Sequence, residues 1–444
     1  MKMELNELIE IMKTNGVAGA GGAGFPSYAK LDKRADTIIL NCAECEPLLK
    51  LHRQVLEKYA FEIMSTLSEI AKAVEAKDII IAVKPSYKKA VEAVEANLPS
   101  FQNIRIGLLP EIYPAGDEVV TIYETTGRVV APGNIPITVG VTVFNVETIL
   151  NVYHAIQGTK PVIDKYITIT GEVKNPVTLR APLGITYQEL VDLAGGATVK
   201  DPVYINGGPM TGRIVNGYDT VTKTSNAILV MPKDHYIVEK RLSKITIDMK
   251  RAMSVCCQCQ MCTDLCSRNL LGHPIEPHMF MRAATSGVTK DVAPFINTMF
   301  CSQCGICELY ACGQGLNPRT LIGEYKAGLR SSGIPIPKDA PFGDVKKERT
   351  YRKIPKARLT ARLGLSKYNL PAPLVDETVG TNQVKIMLSQ HIGAPASAVV
   401  KVNDKVKAGQ VIGEIGEGKL GVPVHASISG VVIDVNDKYV TIKA

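Results

Sequence analysis

SVCCQCQMCTDLCS (Ser254–Ser267) and FCSQCGICELYACG (Phe300–Gly313) carry nine of the eleven cysteines of the chain. The first run places Cys256, Cys259, Cys262 and Cys266, and the second Cys301, Cys304, Cys307 and Cys312. Three thiolates, each separated from the next by two residues, wrap a loop around one face of an iron–sulfur cubane, and a fourth arrives from elsewhere. In two-cluster proteins with this spacing the fourth Cys of each run serves the other cluster. Cys256, Cys259, Cys262 and Cys312 are therefore assigned to one 4Fe–4S cluster, and Cys301, Cys304, Cys307 and Cys266 to the second. Structural zinc prefers two separated Cys-x-x-Cys pairs and fits these runs awkwardly. The pattern predicts a small helical two-cluster domain that relays single electrons.

Beyond these runs, 444 residues suggest about three domains at roughly 150 residues each. Hydrophobic residues make up 45% and charged residues 21%, an ordinary globular composition. No apolar run approaches the ~18 residues of a membrane span, and no export signal opens the chain, so a cytoplasmic protein without transmembrane segment is expected. Cysteines in that reducing setting are read as metal ligands rather than disulfides. The net charge of +8 resides in one segment, Lys346–Lys367, where nine Lys/Arg face only Glu348. No base-reading element accompanies it, so nucleic-acid binding is not expected. It reads as a solvated basic linker.

Leu5, Leu8, Ile9 and Met12 recur at helical spacing, DTIILNC (Asp36–Cys42) and DIIIAV (Asp78–Val83) read as buried strands, and a helix from about Gln54 to Lys77 is expected between them. Short strands with Gly/Pro turns follow from Tyr166, interrupted by one helix near Tyr187, and the tail from about Val384 is again short strands. The expected fold class is multidomain α+β. Its parts are an α/β domain at 1–158, a β-rich module at 159–240, the cysteine domain at 241–335, the linker at 336–380 and a β-barrel or sandwich at 381–444.

Gly19-Ala-Gly-Gly-Ala-Gly24 matches G-x-G-x-x-G, but a helix precedes it and Phe25-Pro26 follows, which is not the strand–loop–helix context of a dinucleotide fold. A loop this free of side chains lets a flat ring or a phosphate approach the backbone. GAGGAGFPSYAK (Gly19–Lys30), NCAECEP (Asn41–Pro47), YPAGDE (Tyr113–Glu118) and FNVET (Phe144–Thr148) resemble, in order, the FMN- and NADH-binding segments of the complex I flavoprotein subunit and, more closely, the RnfC-like family. The resemblance implies that Gly19, Gly21, Gly22, Gly24, Lys30, Asn41, Glu44, Gly116, Asn145 and Thr148 surround FMN, with Lys30 near its phosphate or ring edge. It implies that Glu46 and Glu118 face the nicotinamide nucleotide. Ala43 and Phe144 stand where the family has Asp and Asn. Cys42 and Cys45 beside this site are either a redox pair or ordinary packing.

Residues 166–232 are similar to the SLBB β-grasp module, which either holds a corrin or bridges domains, and the tail resembles a barrel-sandwich hybrid. In the membrane-associated RnfC subunits that sandwich is N-terminal. Its C-terminal place here, with CTDLCSRNLLGHPIEPH (Cys262–His278), resembles the corrin reductases of propanediol-utilisation microcompartments. The resemblance implies an NADH-dependent oxidoreductase passing electrons through FMN and two 4Fe–4S clusters to cobalamin, from cob(III) to cob(II) and on toward cob(I). An RnfC-like relay between a partner reductase and another acceptor is the alternative. Hydride and electron transfer need no acid–base side chain, so no catalytic residue is assigned. The implied partners are an adenosyltransferase or flavodoxin, drawn to the basic segment, and microcompartment shell proteins, with the N-terminal helix as either encapsulation signal or packing element. His273 and His278 offer imidazole to cobalt or serve as surface or capping residues.

Overall fold

Strand β1 (Thr37–Cys42) has five of its six side chains buried, as expected for a central parallel strand covered on both faces. The computed structural model describes residues 3–287 and 290–444. In the first domain, α1 (Leu5–Thr14) sets Leu8 and Met12 into the core, so it is a packing helix. The helix expected over Gln54–Lys77 is two, α2 (Leu51–Lys58) and α3 (Ala60–Val74), broken at Tyr59. The Tyr59 backbone leaves the helical region, and its hydroxyl bonds Asp376 from far along the chain. Then come β2 (Asp78–Val83), α4 (Lys88–Asn97), β3 (Ile104–Leu108), β4 (Ile112–Tyr113), α5 (Glu118–Thr126), β5 (Val141–Asn145) and α6 (Val146–Ile156). The parallel sheet has the order β3-β2-β1-β5. Asn41 and Asn145 fall at the carboxyl ends of neighbouring strands, where open α/β sheets place ligands.

The next module is built from β6 (Asp164–Gly171), β7 (Val177–Pro182), α7 (Tyr187–Leu193), β8 (Val203–Asn206), β9 (Arg213–Val215) and β10 (Ala227–Met231). Helix α7 starts at a capping box in which Thr186 and Glu189 satisfy each other's backbone N–H groups. The helices α8 (Tyr236–Leu242), α9 (Ile245–Val255), α10 (Met261–Asp264), α11 (Ser267–Leu270), α12 (Pro277–Ser286), α13 (Ala293–Ile296) and α14 (Pro318–Ser331) make the cysteine domain. Its core includes Ala252, Phe280, Leu321 and Ile322, with Cys256, Cys301 and Cys312 against it.

The basic segment is not a solvated linker. It folds as β11 (Ile354–Pro355), α15 (Lys356–Arg362) and β12 (Leu374–Thr378). Strand β11 pairs with β4, while β12 joins β7 as the outer strand of the sheet β12-β7-β6-β10-β8-β9. Its charges find partners from other elements. Arg349 pairs with Glu124 at 2.6 Å, Arg352 with Asp264 at 2.7 Å, and Lys356 Nζ donates to the Glu44 carbonyl at 2.8 Å. Asp376 accepts from Lys58 Nζ at 2.5 Å and from the hydroxyls of Tyr59 and Tyr166. Sequence-local counting sees nine cations; the partners lie tens to hundreds of residues away. The chain ends in seven short strands, β13 (Gln383–Met387), β14 (Ser397–Ala398), β15 (Lys405–Val406), β16 (Val411–Glu414), β17 (Val424–His425), β18 (Gly430–Val435) and β19 (Tyr439–Lys443), which form two antiparallel sheets around Ile386, Ile412, Val432 and Ile442. No helix among the described residues is long and apolar enough to cross a membrane.

Candidate functional site

The glycine loop lies against the N-terminus of α6, where Ala20 N donates to Thr148 Oγ1 at 2.9 Å. Gly22 and Gly24 adopt φ of +62° and +68°. A Cβ on Gly21 would come within 2.8 Å of Asn226 Nδ2, and one on Gly24 within 2.6 Å of Thr224 and 3.3 Å of His391. Both the β-rich module and the C-terminal barrel therefore lean on this loop. Above Gly22 nothing lies within 4 Å, so its backbone stays open to a ligand. Asn145 caps α6 by accepting from Glu147 N at 2.9 Å, and its Nδ2 faces His52 Nε2 at 3.0 Å. Burial holds the His52 ring down at about 3, so it is neutral and accepts that bond.

On the other side of β1, Asn41 Nδ2 donates to the Gly116 carbonyl at 3.0 Å, while Lys30 Nζ lies 3.2 Å from Glu118 Oε1 and 2.8 Å from the Val143 carbonyl. A Cβ on Gly116 would stand 3.1 Å from Cys45 Sγ. Glu44 sits at φ +37°, and its Oε1 accepts from His52 N at 2.9 Å. The other oxygen, Glu44 Oε2, has no hydrogen-bond partner, and neither has Nζ of the fully buried Lys84 just after β2. The Arg53 guanidinium lies 3.6 Å from Glu44 Oε2. A glycine cradle open over Gly22, with an unpartnered ammonium at the same sheet edge, fits a polar cofactor such as FMN, because buried polar groups without partners are rare.

Glu46 is placed differently from the expectation. Its carboxylate accepts from Met210 N (2.9 Å), Thr211 N (2.9 Å) and Thr211 Oγ1 (2.6 Å) and is pressed on Gly208. The loop of the β-rich module, not a nucleotide pocket, is what it faces. Three donors converging on one carboxylate outcompete open solvent. Cys42 is buried in the main core, and Cys45 packs toward the two smaller ones. Burial pushes the Cys45 thiol up to about 11, the behaviour of a packing cysteine.

The two cysteine loops share one backbone design. Gln258 and Gln260 in the first, and Gln303 and Gly305 in the second, have φ of +55°, +65°, +59° and +81°. A non-glycine residue in this region costs of order 1 kcal/mol or more. Repeated at matching places, the turn gives the two loops the same bend. Burial first, then Cys312, Cys256 and Cys259, push Cys262 up to about 12. Burial first, then Cys266, push Cys304 up to about 12. Cys312 is thus among the charges that act on Cys262, and Cys266 among those that act on Cys304. A small cavity of about 20 Å³ is lined by Cys266, Cys301, Cys304 and Cys307, together with Arg268 and Arg319. Four cysteines around one cavity, flanked by guanidinium groups, fit a dianionic or more highly charged iron–sulfur cluster.

Sequence reasoning missed the residues that join the two sites. Arg268 Nη2 pairs with Asp117 Oδ2 at 2.9 Å, both side chains nearly buried. The same Asp117 caps α5 by accepting from Val119 N and Val120 N. Tyr113 donates its hydroxyl to the Cys304 carbonyl at 2.6 Å. Asp117 and Tyr113 lie inside the YPAGDE motif, and Arg268 follows Cys266 by two residues, so position beside a motif was the available signal.

Known proteins match this arrangement module by module. Residues 12–154 match the Nuo51 FMN-binding domain, 166–214 the SLBB domain, 255–317 the 4Fe-4S dicluster domain and 372–444 the RnfC barrel sandwich hybrid domain. Over its full length the chain is 39% identical to cobalamin reductase PduS of Salmonella typhimurium, covering 97% of that protein. The chain belongs to the PduS cobalamin reductase family. PduS of Citrobacter freundii is also 39% identical, over 98% of this chain and 95% of its own length. A component of the ion-translocating oxidoreductase complex of Edwardsiella ictaluri is 30% identical over 60% of this chain and 32% of that component. The chain thus carries an FMN-binding domain and a 4Fe-4S dicluster domain together.

The two histidines after the first cysteine run are engaged. His273 is buried, with Nε2 on the Val130 carbonyl at 2.9 Å, and His278 Nδ1 lies 2.8 Å from Thr263 Oγ1 at the start of α12. These are packing and capping contacts.

Proposed function

We propose that this chain is an oxidoreductase that takes electrons from NADH and delivers them through FMN and two 4Fe–4S clusters to cobalamin, reducing cob(III)alamin to cob(II)alamin and onward toward cob(I)alamin. When bound, FMN accepts a hydride and releases electrons singly, and the clusters carry them one at a time. The residues that would hold FMN are the loop Gly19–Gly24 with Lys30, Asn41, Glu44, Gly116, Asn145 and Thr148. Those that would hold the clusters are Cys256, Cys259, Cys262 and Cys312 for the first, and Cys266, Cys301, Cys304 and Cys307 for the second.

The observation that carries this reading is the Asp117–Arg268 pair. One carboxylate fixes the helix that follows the flavin-side motif and at the same time holds an arginine that lines the second cysteine cavity. Tyr113 ties that motif to the Cys304 loop. With FMN and the clusters held by those residues, these contacts would set the distance between the two redox sites without a flexible linker, and positioning is what the protein contributes to such chemistry. Glu118, paired with Lys30, stands at the same sheet edge as the glycine loop, where a nicotinamide nucleotide would meet it.

The clasp on Glu46 favours one alternative, a relay that receives electrons from a partner reductase and does not oxidise NADH itself. A single anaerobic experiment separates the two. The protein is reconstituted with FMN, iron and sulfide, NADH is added, then hydroxocobalamin, and the visible spectrum is followed. Bleaching by NADH and growth of the cob(II)alamin band are expected; bleaching by dithionite but not by NADH would establish the relay. Residence in a propanediol-utilisation microcompartment follows from the same family reading and would be tested by co-purification with shells.

A further inference from the structure

We propose that the two cluster sites have fixed and opposite roles, the Cys266/Cys301/Cys304/Cys307 site receiving electrons from the flavin side and the Cys256/Cys259/Cys262/Cys312 site releasing them to free cobalamin at the protein surface. The inference rests on the corrin-reductase reading above.

The polarity is read from what each site touches. The first-named site is enclosed. Its cavity shares Arg268 with Asp117, its Cys304 carbonyl takes the Tyr113 hydroxyl, its Gly305 backs onto the Met210 carbonyl of the β-rich module, and Cys307 is 8% exposed. The other site opens outward, with Cys259 and the neighbouring Cys257 exposed. Cys256 and Cys312 of one site and Cys301 of the other pack against the same core of Ala252, Phe280 and Leu321, so the sites adjoin. Electrons crossing from flavin side to water meet them in that order.

The exposed loop has a particular collar. Met253 (62% exposed), Val255 (45%) and Met261 (40%) flank it in the chain on both sides. Exposed apolar side chains grouped at a functional loop mark a binding surface, and methionine adapts its shape to a flat or irregular partner. Lys250 and Arg251 are exposed on the same helix, whereas its one acid, Asp248, is buried and bonded to Ser243. Exposed apolar side chains on a helix whose exposed charges are cations, with the nearby Asp264 paired to Arg352, suit a large ring rimmed with methyl groups that carries a single anionic phosphodiester. Cobalamin has that composition. The transfer itself balances simply: each electron leaving the cluster lowers cobalt by one oxidation state, and the upper axial ligand departs with its own electron pair.

Two measurements on the reconstituted full chain test this. In the first, Met253→Glu combined with Met261→Glu, and separately Lys250→Glu, should each weaken equilibrium binding of hydroxocobalamin by about tenfold, or 1.4 kcal/mol, with the cluster EPR signals unchanged. Binding equal to that of the parent protein overturns the surface, as does cobalamin uptake only when a carrier protein presents it. In the second, dysprosium–EDTA in solution should speed the relaxation of the EPR signal that Cys259→Ser abolishes, and hardly touch the one that Cys304→Ser abolishes. Equal relaxation of both signals, or the reverse order, overturns the polarity. If the parent protein binds no cobalamin at all, the corrin reading fails and the release surface falls with it, while the dysprosium result still decides which cluster faces water.

Discussion

Glu46 Oε1 accepts both the N–H and the hydroxyl of Thr211, at 2.9 and 2.6 Å, and so locks the NCAECEP turn to the β-rich module. A carboxylate so engaged is unavailable to a nucleotide until the clasp opens. Removing the hydroxyl by Thr211→Val weakens the clasp by about 1–2 kcal/mol. If NADH uses Glu46, this variant should show a KM for NADH lowered severalfold with kcat little changed. An unchanged or raised KM would mean the clasp is purely structural.

Cys304→Ala should halve the metal content. Reconstituted protein is expected to carry about eight iron and eight sulfide per chain, and the variant about four of each. One of the two EPR signals of the dithionite-reduced protein should disappear while the other keeps its g-values. Loss of both would show that the two sites do not form independently.

Arg268→Gln leaves Asp117 nearly buried without its cation. Breaking one side of a buried pair costs about 3–5 kcal/mol, which thermal unfolding would register. Flavin bleaching by NADH should persist in this variant, while cluster bleaching slows by about an order of magnitude or more, because the contact that spaces the two sites is gone. Arg268→Lys, which restores the charge, should recover most of the rate.

Lys223 makes stability depend on pH. Its ammonium is buried, donates to the Gly16 and Pro423 carbonyls at 2.7 and 3.1 Å, and is pulled down by burial to about 7. In the unfolded chain it titrates near 10.5, so between these values the unfolded state holds more protons. Stability therefore rises with pH over that window, by up to about 1.4 kcal/mol per unit, and this contribution is lost as pH falls through about 7. Denaturant titrations at pH 7 and 9 should show this rise, and Lys223→Met should flatten it.

The cysteine runs were legible because their information is local: spacing within a dozen residues fixes the chemistry, whereas the four flavin-side motifs were legible only through their resemblance to a known family. Strands such as β1 and β2 were legible for a similar reason, as short all-apolar runs. The basic segment was misread because its order comes from partners such as Glu124, Asp264 and Glu44, which no local pattern announces. Strand β11 has only two residues and acquires its identity from β4, and the break at Tyr59 is set by Asp376. The placement of Glu46 was missed likewise. A motif says that a carboxylate is needed in a turn, but the loop 208–211 that captures it lies over 160 residues downstream.

The course of residues 346–378 bears on how the molecule comes apart. This segment crosses from the helix carrying Glu124 to β4, then to α2 through Asp376, and ends as an edge strand beside β7. Modules strung on slack connectors melt one by one, each at its own temperature. Modules laced by a strand and several ion pairs lose their neighbours' support when one opens, so they should melt in one cooperative transition. A protease nick near Pro371 would unlace the fold without touching a single redox residue, turning one calorimetric peak into several.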